Sequence, residues 1–251
     1  MIKDTLGDRQ KGYEAVSKNF LVRRMPVIMR IDGKAFHTFA RGFQKPFDSV
    51  LSEAMEKTME TLCKNVQNCQ LGYTQSDEIS LLLVDDKTIT TDSWFENNVQ
   101  KMVSVGASIA TMAFNKAFSD IVFRAENCPV ELRDTYQKRF ESAMFDCRAF
   151  NVPKEDVCNN FIWRQQDATR NSIQSVGQAN FSPKQMHGLS CNAIQDKLFL
   201  EKQINWDKTP TKFKRGFCCI RGEDGWGIDN EIPIFSQDRT YIDKRVHIRE
   251  D

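Results

Sequence analysis

Two acidic stretches hold the chemistry that this sequence can support. The first, Val27-Ile28-Met29-Arg30-Ile31-Asp32-Gly33-Lys34, is an apolar run closed abruptly by an aspartate and a glycine. A short apolar run ended by a breaker reads as a core strand, which sets Asp32 at the strand's C-terminal mouth, where its side chain can reach a ligand. The second is Ser76-Asp77-Glu78, enclosed by Leu71 to Gln75 and by the strongly apolar Ile79 to Val84. That pattern reads as two strands bent tightly around the acidic residues, with Asp77 and Glu78 at a hairpin tip. Taken singly, each stretch is also ordinary turn chemistry, since an aspartate can bond its own backbone and a glycine permits the turn. Taken together, two aspartates at strand ends, beside a glycine whose carbonyl can be approached closely, make a hard-oxygen site. Magnesium keeps several of its waters and takes only one or two protein carboxylates plus substrate phosphates. Such a set fits two-metal phosphoryl transfer, with one ion activating an attacking hydroxyl and the other holding a triphosphate; no nucleophilic side chain is needed.

Phosphate chemistry also needs cations. Lys34, Lys45 on the loop after the first strand and Lys101 in the helix after the hairpin are the candidates, each of which also reads as an ordinary surface lysine. His37 has two readings, a nucleotide contact or a packed, hydrogen-bonded residue beside Phe36 and Phe39.

The elements that must position these groups follow from periodicity. Residues 1 to 24 are polar, with Tyr13, Val16, Phe20 and Leu21 at helical spacing, which predicts an N-terminal helix packed on the body. Val50, Leu51, Ala54, Met55, Met59, Leu62 and Cys63 share one helical face behind a cap at Asp48 or Ser49. A second long helix is predicted from Trp94 to Phe118 and a further strand at Ala143 to Phe150. The order strand, helix, strand, strand, helix, strand is the split βαβ arrangement, an α+β fold with an antiparallel sheet and helices on one face. It makes the first and third strands neighbours, so Asp32 and Asp77 meet at one edge. After Pro153 the pattern is helical to about Val176 with a stop at Gly177, then short helices open at Ser182-Pro183 and Ser190, and a β-hairpin or arm follows from Phe213 to Ile234. The expected organisation is a catalytic domain over residues 1–150 and a helical subdomain with a C-terminal arm over 151–251.

The 251 residues suffice for a large core, and 35 basic against 34 acidic residues leave no global field, so a polyanionic partner must use a local basic patch. The eight cysteines, Cys128 among them, contain no Cys-x-x-Cys pair, and there are three histidines, which argues against structural zinc. Cys218 and Cys219 are expected to alternate across a strand. Without a signal-like N-terminus or a bilayer-length apolar run, the expected setting is a cytoplasmic one with free thiols and no membrane.

Arg30 to His37, Lys45-Pro46 with Asp48, Ser76-Asp77-Glu78 and Trp163-Arg164-Gln165-Gln166-Asp167, in this order, closely resemble the histidine-tRNA guanylyltransferase family of 3′-to-5′ nucleotide-adding enzymes. The resemblance implies a polymerase palm-like catalytic domain in which Asp32, the Gly33 carbonyl and Asp77 hold two magnesium ions, flanked by Ser76 and Glu78. It implies that Arg30, Lys34, Phe36, His37, Lys45, Ser76 and Lys101 bind the nucleotide, Lys45 and His37 assisting an ATP- or GTP-dependent activation and Lys101 touching a triphosphate. Arg164, Arg170 and Asn171 are implied RNA contacts. The implied substrates are tRNA with ATP, GTP and other nucleoside triphosphates, and the implied assembly is a homotetramer. Where eukaryotic members carry a HINNLYN motif, this chain has Thr169-Arg170-Asn171-Ser172-Ile173-Gln174-Ser175, keeping only Asn171. It therefore looks more like the bacterial and archaeal guanylyltransferase-like proteins, which resemble template-dependent polymerases repairing 5′-truncated tRNA. The alternatives are untemplated addition to histidine tRNA, a nucleotide cyclase, and a tRNA-binding module whose catalysis has lapsed.

Overall fold

The computed structural model describes residues 5–124 and 130–248; Cys128 lies outside the described residues. In chain order the elements are α1 (Leu6–Ala15), β1 (Val27–Gly33), α2 (Phe36–Phe39), α3 (Ser49–Asn65), β2 (Cys69–Gln75), β3 (Glu78–Leu83), α4 (Val99–Arg124), α5 (Val130–Gln137) and β4 (Phe145–Asn151). There follow α6 (Lys154–Asn180), α7 (Pro183–Met186), α8 (Cys191–Lys202), α9 (Thr211–Arg215), β5 (Phe217–Gly222), β6 (Gly225–Asp229) and α10 (Thr240–Val246). The strands form one antiparallel sheet in the order β4-β1-β3-β2-β5-β6. Its first four strands with α3 and α4 reproduce the expected split βαβ order, and β1 and β3 are neighbours.

The expected helices on one face are a single layer of two. Val27, Met29, Ile31, Ile79 and Leu81 pack on α3 and α4 through Met55, Met59, Phe114 and Phe118. Ile28, Leu71, Tyr73 and Leu82 pack on the opposite side against Val157 and Phe161 of α6 and Ile242 and Val246 of α10. The physical sign of this second layer is in the strands themselves: a sheet covered on both faces reads as a continuous apolar run, whereas one wet face would alternate. All six residues of β3 are buried.

The C-terminal hairpin is likewise more than an arm. β5 pairs with β2 from Leu71–Ile220 to Thr74–Phe217 and so extends the sheet. The described residues from 151 to 248 thus contribute two strands and the helices of the second face. Cys218 and Cys219 do point to opposite layers, and the seven cysteines among the described residues are all free.

Several boundaries moved for local reasons. The helix expected from Trp94 begins at Val99, because Phe95 and Glu96 hold φ of 50° and 55° and break the turn before it. Gly177 does not stop α6; a Cβ there would lie 2.4 Å from Met186 Cε, so the glycine lets α7 and α8 pack closely. The N-terminal helix forms, with a Thr5–Asp8 capping box, but none of its residues is buried. Among the described residues no helix is long and apolar enough to cross a membrane.

Gly216 is the seam through which α9 passes into β5. Its φ is +83°, and a Cβ would sit 2.4 Å from the Thr74 carbonyl oxygen, while Tyr73 Oη beside it donates to the Arg215 carbonyl at 2.8 Å. Gly216→Ala is therefore expected to cost about 1–3 kcal/mol or more of unfolding free energy, measured by urea denaturation. Gly188→Ala, also at positive φ but with nothing near its Cβ, separates the steric contribution from the backbone one.

Candidate active site

The strand register brings the two acidic stretches together. Asp32 lies opposite Glu78 in β3 and Asp146 in β4. The hairpin tip is tied to the end of β1 by the Gly33 amide, which donates to the Asp77 carbonyl at 3.0 Å, and the Lys34 amide bonds Met144 on the other side at 2.9 Å. Ser76 Oγ donates to Asp77 Oδ1 at 2.9 Å. Two non-glycine residues beside the acids hold left-handed backbone, Ala35 at φ 54° and Ser76 at φ 51°; such conformations cost of order 1–3 kcal/mol each and persist only where the surroundings impose them. Gly33 is required here because the Phe36 ring lies on it, 2.3 Å from where a Cβ would stand.

Among the described residues no cation lies within ion-pair distance of Asp32 or Asp77. Burial pushes both carboxyls up from the ordinary aspartate value, Asp146 adds to the rise at Asp32, and Asp32 adds to the rise at Asp77. No three histidine, cysteine or acidic side chains among the described residues converge into an all-protein metal cage. The donor set is instead two under-compensated carboxylates and a strand-end carbonyl, which fits a hard cation that keeps waters and phosphates in its shell.

Glu78 is not a free carboxylate. Arg164 of α6 grips it with two bonds of 2.7 Å, Nε to Oε1 and Nη2 to Oε2, in a buried setting. Arg164 also reaches Asp167 Oδ2 at 3.0 Å, and Arg170 pairs with the other oxygen of Asp167. Burial pushes Asp167 up, but the hydrogen bond from Arg170 and the charge of Arg164 outweigh it and hold the carboxyl below its ordinary range. Arg30 sits beneath, with Nε 3.4 Å from Glu78 Oε1.

On the β2 and β5 side a cleft of ≈ 730 Å³, counted to its open mouth, adjoins Ser76. The stacked rings of Phe47 and Phe213, Lys212, Gln75 and Asn171 are among its lining residues.

The expected site residues divide accordingly. Asp32, Gly33, Ser76 and Asp77 meet; Lys34, His37 and Lys45 are exposed on the segment that follows β1; Arg170 and Asn171 are exposed on α6. Four assignments need correction. Phe36 is buried against Phe39, Phe114 and Phe145, so it is core rather than a nucleotide contact. Lys101 stands at the far end of the sheet, where α4 enters near Val27 and Leu83; only from Thr111, whose hydroxyl accepts from the Phe145 amide, does the helix reach the Asp32 end. Arg164 is committed to Glu78 and cannot present its guanidinium to RNA as it stands, and Arg30 is covered by the Trp163 and Phe150 rings. Sequence reasoning passed over Asp146 and Arg148, whose alternation in Phe145-Asp146-Cys147-Arg148 puts both on the Asp32 face once the register is known. It also passed over the pairing of Phe47 with Phe213, which no local pattern joins.

The model of the Thg1 family, described as tRNAHis guanylyltransferase, matches residues 7–153, more than half of the chain. A solved bacterial tRNA(His) guanylyltransferase (Thg1)-like protein in complex with ATP is 46% identical, with a TM-score of 0.87 over 97% of this chain and 100% of that one. A Thg1-like protein in complex with GTP is 42% identical, with a TM-score of 0.80 over the same shares. An uncharacterised protein of Acanthamoeba polyphaga mimivirus is 29% identical over 86% of this chain and 77% of its own length.

Two outcomes follow from the electrostatics. Glu78→Ala leaves the buried Arg30 without its counter-charge and Arg164 with Asp167 alone, and is expected to cost about 3–5 kcal/mol by urea denaturation, whereas Arg170→Ala, which removes an exposed partner, costs under about 1 kcal/mol. For Asp77 the raised pKa means that the folded state disfavours the ionised form, a penalty present at neutral pH and relieved as pH falls through the raised value toward 3.8. In chelator, Asp77→Asn should raise Tm at neutral pH, with the gain shrinking on acidification; a gain that grows on acidification would refute this.

Proposed function

The chain belongs to the tRNAHis guanylyltransferase family and is a nucleotidyltransferase of that type; we propose that it adds nucleotides in the 3′-to-5′ direction to the 5′ end of tRNA, copying the opposite strand. The observation that carries the reading is the Asp32–Asp77 pair, joined through the Gly33–Asp77 backbone bond at the edge of a sheet whose fold matches Thg1-like proteins solved with ATP and with GTP. On this reading the first four strands are a polymerase-like palm.

Asp32, the Gly33 carbonyl and Asp77 would hold two magnesium ions, which when bound supply neutralisation of the triphosphate charge and activation of the attacking hydroxyl. The chain's own residues do the positioning. Ser76 orients the Asp77 carboxylate, and the Arg164–Glu78 clamp fixes the strand that carries it. Lys34, His37 and Lys45, exposed near the carboxylates, receive the phosphates of ATP, GTP or another nucleoside triphosphate, in an activation of the RNA 5′ end followed by attack of the incoming 3′-hydroxyl. The cleft beside Ser76, with its paired rings and Asn171, suits a nucleobase. Arg170 and Asn171 lie where RNA passing that cleft would meet them.

Template dependence is supported by the residues at 169–175, which lack the histidine of the HINNLYN motif of eukaryotic members. A homotetramer is supported by α1, because a ten-residue helix with no buried side chain gains little by itself and calls for a neighbouring surface. Binding is expected to rest on phosphate contacts and to weaken steeply with salt.

The test is extension of 5′-truncated tRNA with each nucleoside triphosphate separately, varying the opposing base, with magnesium or chelator. Incorporation should follow the Watson–Crick partner, require the metal, and fall about 10²-fold or more in Asp32→Ala. Guanosine addition regardless of the opposing base would instead establish untemplated guanylyltransfer. Cyclic product from ATP or GTP without RNA would establish a cyclase, and RNA binding with no turnover in any arm a lapsed module.

A further inference from the structure

We infer that Trp163 is a stacking platform for a base at the end of the RNA substrate, on the β4 side of the carboxylate pair. The inference rests on the proposed tRNA-end reading and assigns a contact to it that the nucleotide chemistry above does not use.

Trp163 is the exposed member of the four tryptophans, at 53%. Trp94 is buried, Trp226 packs on the core, and Trp206 donates its indole N–H to Ser172 Oγ. An exposed indole needs something to hold it, and here the holders are two guanidiniums, Arg164 with its central carbon 4.6 Å from the ring centroid and Arg30 at 5.0 Å. Both are themselves immobilised. Arg164 is clamped to Glu78, and Arg30 is about nine-tenths buried with Nε and one terminal nitrogen lacking any hydrogen-bond partner. The Arg30 Nε faces the Glu78 carboxylate at 3.4 Å, so both guanidiniums share one buried counter-charge and together back the exposed ring with a rigid, cationic surface.

The surroundings point to RNA. Arg30 and Asp32 lie on the same face of β1 two residues apart, roughly 7 Å along the strand, so the ring is about one nucleotide from the carboxylates. Opposite them on β4, an edge strand, stand Arg148 and Asp146, both exposed and 3.6 Å apart as an ion pair. Arg148 therefore offers a phosphate contact on the strip between ring and carboxylates. Stacking tolerates any base, which suits an enzyme whose substrate end varies.

The measurement is fluorescence anisotropy of labelled 5′-truncated tRNA on the full chain, without nucleoside triphosphate, for wild type, Trp163→Leu and Trp163→Phe. Leucine fills the space without a π-face, and thermal melting checks that it folds. Trp163→Leu should weaken RNA binding about 5- to 100-fold, Trp163→Phe should recover most of it, and ATP affinity should stay unchanged in both. A 5-bromouridine at the RNA 5′ end should photocrosslink to the peptide containing Trp163. Unchanged RNA affinity in a folded Trp163→Leu overturns the inference and leaves the tRNA reading intact; wild-type protein that binds no RNA removes both.

Discussion

The buried pair between Arg164 and Glu78 is the constraint from which the working end of this molecule follows. Removing two charges from water is expensive, and only near-ideal geometry offsets it; here both bonds are 2.7 Å and the guanidinium fork meets both carboxylate oxygens. The pair joins the middle of α6 to the first residue of β3, immediately after Asp77. A hairpin tip is ordinarily among the looser parts of a sheet, and this one is held from the helix side by Arg164 and from the β1 side by the Gly33–Asp77 bond.

The neighbouring residues of α6 divide their tasks around that clamp. Gln165 uses both ends of its amide on the C-terminal segment, donating to the Pro233 carbonyl and accepting from the Phe235 amide, each at 2.9 Å. Asp167 braces Arg164 and Arg170. Trp163 and Asn171 are exposed on opposite flanks of that clamp, Trp163 stacked on Arg30 and Arg164 beside β4, and Asn171 donating to Asp167 Oδ2 at 3.4 Å on the cleft side. The Trp163–Asp167 motif therefore serves largely as scaffold, through Arg164, Gln165 and Asp167.

The carboxylates show the opposite economy. Asp32 and Asp77 are partly buried, mutually repelling and without an ion-pair partner among the described residues, flanked by two strained left-handed residues. A sheet sealed on both faces supplies the rigidity that lets such a site persist, since two continuous apolar layers offset local costs of a few kcal/mol.

Much of this was legible in the chain because it depends on local rules. The apolar run ending at Asp32-Gly33, the hairpin about Ser76-Asp77, the Asp48 cap of α3 and the Ser182-Pro183 and Ser190 starts are decided by breakers, caps and period, and a 4-1-3-2 order of strands follows from connection rules. What periodicity does not encode is which long-range surfaces meet. Lys101 has the right charge, but helix direction carries it to the far end of the sheet. Phe36 and Arg164 have the right neighbours in sequence and the wrong exposure. The second helical layer, the addition of β5 to β2, and the convergence of Asp146, Arg148 and Trp163 beside Asp32 all require the register of strands distant in sequence. By itself, then, the sequence determined that two aspartates are delivered to strand ends at one end of the sheet. Only the tertiary structure decided which cations, rings and counter-charges surround them, because side-chain exposure and partnership are set by packing between elements and not by spacing within one.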